Sequence, residues 1–110
     1  MREQVNMQKF KSVLRDGYRQ ARAAGLIPSA ELQMCEQTMA QVYALTGQEG
    51  NRHWRRIRRR VMGRYHRDTQ TPMGAIDWEA VLEWFRENIV PLIRFILTLL
   101  PLFLDHGPRR

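Results

Sequence analysis

Residues 52–67 read RHWRRIRRRVMGRYHR. Eight of these sixteen residues are arginine and none is acidic. Such a run is a disordered basic tail unless something gives it a face. Trp54, Ile57, Val61 and Tyr65 do so. They recur at spacings of three, four and four, which places them on one stripe of an α-helix. The stretch therefore predicts a helix that docks its apolar stripe on a core and projects guanidinium groups elsewhere.

The rest of the chain nearly balances in charge. Residues 1–51 hold six basic and five acidic groups, and residues 68–110 hold four arginines against six acids. The formal charge of +7 over 110 residues is thus the charge of one segment. Sixteen of the eighteen basic residues are arginine, whose planar fork matches phosphate. The length excludes a dinucleotide-binding domain pair or a TIM barrel and allows one domain with a modest core. A hydrophobic content of 44% excludes wholesale disorder.

Upstream, residues 1–50 predict a helical hairpin. Val5, Phe10, Val13, Leu14, Tyr18 and Ala21 follow the helical period from about Glu3 to Ala24. Gly17 weakens that helix by roughly 1 kcal/mol relative to alanine. Gly25 and Pro28 stop it, and Ser29 is the expected N-cap of a second helix. That helix carries Leu32, Cys35, Met39, Val42 and Tyr43 to about Thr46, and Gly47 ends it. Gln48 to Asn51 reads as a polar loop before the basic helix of residues 51–67.

Downstream, residues 68–76 form a linker rich in turn residues, and residues 77–105 a hydrophobic helix. Asp77 is its expected N-cap. Trp78, Leu82, Phe85, Ile89, Leu92, Ile96, Leu99 and Phe103 alternate at spacings of four and three, and Val81, Ile93, Leu97, Leu100 and Leu104 widen the face. A helix this apolar needs burial by its own domain, by copies of itself or by lipid. Pro91 and Pro101 interrupt it, so a kink or a break at Pro91 is expected. Residues 106–110 are a tail. The fold class is all-α.

Little in the chain points to catalysis. There is no phosphate-binding glycine loop, no metal-ligand spacing and no nucleophile motif. Cys35 is alone, His53, His66 and His106 are scattered, and Glu79, Glu83 and Glu87 read as a solvated stripe. No catalytic residue, metal or cofactor is expected. No apolar segment suited to a signal peptide opens the sequence, so the cytoplasm or the inside of a particle is the expected location.

The expected role is that of a non-enzymatic structural or assembly protein, of the kind found in a virus or phage particle or another nucleoprotein assembly. Arg52, Arg55, Arg56, Arg58, Arg59, Arg60, Arg64 and Arg67 would hold nucleic acid or another polyanion, with Trp54 and Tyr65 stacking on unpaired bases. Trp78, Leu82, Phe85, Ile89, Leu92, Ile96, Leu99 and Phe103 would mediate self-association, giving a homo-oligomer or larger assembly. The alternative is a small membrane-associated protein with a cytoplasmic basic region and one short C-terminal transmembrane or interfacial helix.

Overall fold

The computed structural model describes the backbone of residues 2–100 and the side chains of residues 6–100. Phe103, Leu104, the Pro101 interruption, His106 and the 106–110 tail lie outside the described residues, as does the side chain of Val5. The described chain is all-α, with five helices: α1 (Arg2–Ala23), α2 (Ser29–Tyr43), α3 (Gly47–Thr69), α4 (Trp78–Glu87) and α5 (Ile89–Leu99).

The helix ends follow local chemistry. Gly25 takes a left-handed conformation after α1, at φ 72°. The Gly25 N–H then donates to the Arg22 carbonyl at 3.2 Å and the Leu26 N–H to that of Ala21 at 2.9 Å. This paired closure satisfies carbonyls that the helix end leaves open. Ser29 does not cap α2. It is the first residue of the helix, and Pro28 occupies the cap without a side-chain hydrogen bond. The expected loop at 48–51 is also absent. Helix α3 already starts at Gly47, so the basic helix is a full turn longer than its arginines suggest. At α4 the expected cap forms: Asp77 Oδ1 accepts from the N–H groups of Glu79 and Ala80 at 3.1 and 3.3 Å.

The apolar C-terminal segment breaks three residues before Pro91, at Asn88. That residue ends α4 and opens α5, at φ −117° and ψ 27°. Its backbone N–H and its side-chain Nδ2 both donate to the Trp84 carbonyl, at 3.0 and 2.9 Å. The break explains how the proline is accommodated. In a continuous helix Pro91 would leave the Glu87 carbonyl unpaired and cost about 3 kcal/mol. Placed in the first turn of α5, it lacks an N–H where none is needed.

Helix α1 packs mainly on α4, and α2 mainly on α5. The first two helices touch chiefly through side chains. The Tyr43 hydroxyl donates to the Lys11 carbonyl at 2.6 Å, Arg22 pairs with Glu36, and the Arg15 guanidinium lies 4.7 Å from the Tyr43 ring centre. A groove of about 580 Å³ lies between them. Gly17 accounts for the tight α1–α4 crossing. A Cβ there would stand 2.9 Å from Phe85 Cβ, so the glycine that weakens α1 alone lets α4 approach.

Buried and half-buried aromatic rings link the helices. Phe10 meets Trp54 and Phe85 edge-on, at 6.2 and 6.0 Å between centres. Tyr43 lies 5.0 Å from Trp54, and Tyr65 lies 5.5 Å from Trp84.

Two predictions follow from this packing. Gly17→Ala, normally favourable in a helix, should lower stability by about 1–3 kcal/mol because the core is overpacked; denaturant unfolding without a shift in midpoint would contradict the crossing. The second concerns alkali. Burial pushes the Cys35 thiol and the Tyr18 and Tyr43 phenols up from their ordinary values, with Glu31 adding to the effect at Cys35 and Glu36 at Tyr18. Groups raised on folding contribute stability below their ordinary pKa and lose it as pH climbs through the folded value. Burial moves Lys11 down, which opposes this only in part. Stability should therefore fall above about pH 9, with the Tyr43 phenol resonance titrating only as the chain unfolds. Titration of Tyr43 at the ordinary phenol pH in a still-folded chain would refute it.

Candidate functional site

Helix α3 is 23 residues long, so it extends roughly 34 Å at 1.5 Å per residue. One side is anchored. Trp54, Ile57, Val61, Met62 and Tyr65 are all buried, Trp54 to 1% exposure. At its end, Gln70 adopts a left-handed conformation and the Thr71 N–H reaches the His66 carbonyl at 3.1 Å. His66 Nδ1 meets Thr71 Oγ1 at 3.0 Å, and Thr69 Oγ1 donates to the Tyr65 carbonyl at 2.7 Å. The anchored stripe and these closing contacts fix the axis along which the arginines are displayed.

The eight arginines divide by exposure. Arg52, Arg55, Arg59, Arg60 and Arg67 are exposed, while Arg56, Arg58 and Arg64 are half-buried. The Nε atoms of Arg56 and Arg58 are covered and have no hydrogen-bond partner. Among the described residues, carboxylates pair with Arg22 and Arg94, and none pairs with an arginine of α3. Among the described residues the face is therefore an array of cations on one helix, without an ion pair of its own.

Its C-terminal half is concave. Arg59, Arg60, Gly63, Arg64 and Arg67 line a groove of about 510 Å³ that Phe95 of α5 closes on one side. The Arg64 guanidinium sits 4.6 Å from the Phe95 ring centre, a cation–π contact that holds it at the groove wall. Asp68 is the one carboxylate on the lining. Gly63 and Phe95 were not among the residues expected to act here. A glycine flanked by arginines three and four residues away was the available signal for the first. Phe95 comes from a distant element and left none.

The remaining expected site residues lie elsewhere. Trp54 and Tyr65 are buried core anchors, so neither presents a ring for stacking on a base. The apolar stripe that makes this segment a helix is the stripe that consumes them. Of the residues assigned to self-association, Phe85, Ile89, Leu92, Ile96 and Leu99 are buried within this chain, and Trp78 and Leu82 are half-buried against the same core. The chain itself thus meets their need for burial. No helix among the described residues is long and apolar enough to cross a membrane, and the expected C-terminal span is two helices of 10 and 11 residues. No group of three or more His, Cys, Asp or Glu placed to hold a metal occurs among the described residues.

Comparison with family models, curated proteins and solved structures finds no match.

Every arginine of the block has another arginine three or four residues away, at a distance where like charges repel by about 0.2–0.5 kcal/mol per pair. Salt screens such exposed repulsion. The melting temperature should accordingly rise as sodium chloride is increased from about 0.05 to about 0.5 M, because the exposed pairs at Arg22 and Arg94 have little to lose. A falling melting temperature would show that the arginines are internally compensated.

Proposed function

We propose that the protein binds the sugar-phosphate backbone of a duplex nucleic acid through the arginine face of α3, as a binding rather than a catalytic component. The observation that carries this reading is the array itself: eight arginines on one rigid helix, none paired with a carboxylate among the described residues. Maintaining such an array costs stability, and a polyanion is the ligand that repays it.

Arginine in preference to lysine favours phosphate, whose oxygens accept two parallel N–H bonds from one guanidinium. Burial of Trp54 and Tyr65 favours a duplex over unpaired strands, since single-strand binding relies on exposed rings as stacking platforms. The arginine-bearing part of α3, residues 52–67, runs roughly 22 Å at 1.5 Å per residue, so it can follow part of one duplex turn. A membrane surface is less well supported. The apolar stripe of α3 is turned inward, so this helix itself presents no apolar face beside the charge. Self-association through Phe85, Ile89, Leu92, Ile96 and Leu99 does not belong to the proposal, because the chain's own core already covers them.

The five exposed arginines set the expected strength of the salt effect. If each neutralises a phosphate of its own, the logarithm of affinity should fall with the logarithm of salt at a slope of about −4.5, and less steeply where arginines share one phosphate. Replacing Arg55, Arg59, Arg60 and Arg67 together by Gln should leave the fold intact, flatten that slope to about −1 and remove retention on duplex DNA. Trp54→Phe, in a variant that still folds, should bind as the parent does. Unchanged DNA affinity in the four-fold Gln variant would end this reading.

A further inference from the structure

We propose that Gly63 is the floor of a phosphate seat, in which one phosphodiester group of the polyanion enters the notch between Arg59, Arg60, Arg64 and Arg67. The inference rests on the reading of α3 as a polyanion-binding face and goes further by naming where a phosphate makes its closest approach.

The first observation is that the fold does not need this glycine. Gly63 lies in the interior of a 23-residue helix, where glycine is the poorest choice after proline. A Cβ added there would meet nothing within 4 Å, whereas the one at Gly17 would collide with Phe85. Its backbone is ordinary helix, not left-handed, so no turn requires it either. Packing and conformation explain Gly17 and leave Gly63 unexplained.

The second observation is what surrounds the gap. Arg59 and Arg60 precede Gly63 by four and three residues, and Arg67 follows by four, so they flank it on adjacent turns of the same face. Arg64 is held at the side by Phe95. All four arginines and Gly63 line one groove of about 510 Å³. A tetrahedral phosphate offers oxygens in several directions and can accept from more than one guanidinium at once. With no side chain at Gly63, the phosphate can settle low enough for arginines of both flanking turns to reach it. A methyl group at that point lifts it away from all of them together. Asp68, the single carboxylate on the lining, opposes the anion and tempers the site.

The test sets stability against binding. Gly63→Ala should hold or raise the melting temperature, since alanine favours the helix and nothing obstructs it, yet weaken binding to a short duplex DNA about fivefold. Gly63→Leu should weaken it further, and Asp68→Asn should tighten it. In a second arm, inorganic pyrophosphate is titrated into the ¹⁵N-labelled protein, with amide shifts expected to centre on Gly63 and its flanking turns. Equal DNA affinity for the parent, Gly63→Ala and Gly63→Leu would overturn the seat. So would pyrophosphate shifts centred elsewhere or absent. If the arginine variants lose DNA and the Gly63 variants do not, the seat falls and the reading of the face stands. If the parent fails to bind DNA while pyrophosphate shifts centre on Gly63, the duplex reading falls and the seat serves another phosphate compound.

Discussion

Trp54 is fully enclosed at the meeting point of three helices, with Phe10 of α1 edge-on to its ring, Tyr43 of α2 beside it and the Lys11 ammonium 4.9 Å from its centre. This anchorage allows α3 to exist as a helix. The arginines around it repel one another along the whole segment, at a few tenths of a kcal/mol for each neighbouring pair. Burying a side chain such as Ile57 or Val61 returns about 1.5–3 kcal/mol, and the larger Trp54 and Tyr65 rings return at least as much. The inward stripe therefore outweighs the outward repulsion. Each turn of α3 contributes to both faces, so the charged surface and the core share one backbone.

The same anchorage explains why the aromatic residues of this segment read two ways in sequence. Trp54 and Tyr65 lie among arginines, which is the composition of a stacking platform. They also recur at helical spacing with Ile57 and Val61, which is the pattern of a core stripe. One ring cannot serve both roles, and the periodicity was the stronger constraint. The arginine face, the stop at Gly25 and the cap at Asp77 were legible because each depends on residues within one or two turns.

What was not legible depends on contacts between distant segments. The apolar residues from Trp78 to Leu99 keep one period throughout, and periodicity records that a face is buried without recording by what. Its two halves turn out to face different partners, α4 against α1 and α5 against α2 and α3. Asn88 changes the direction while keeping the apolar rows facing inward, so the break leaves no gap in the pattern. Gly17 is the same case in reverse. Its cost to α1 is visible locally, and the reason for accepting it, the approach of Phe85, is 68 residues away.

A basic segment without a core stripe would have to become ordered as it bound, and that ordering would subtract from its affinity. Here the order is supplied in advance by Trp54, Ile57, Val61 and Tyr65, so the proposed polyanion would meet guanidinium groups whose backbone is already fixed. The guanidinium of Arg64 is restrained further by Phe95. The free protein bears the cost as unrelieved repulsion among its arginines. On the proposed reading, neutralisation by phosphate would relieve that repulsion and stabilise the fold by mass action. Binding and stability would thereby be coupled through one helix: the ligand proposed for the array is also the ligand that would let the array rest.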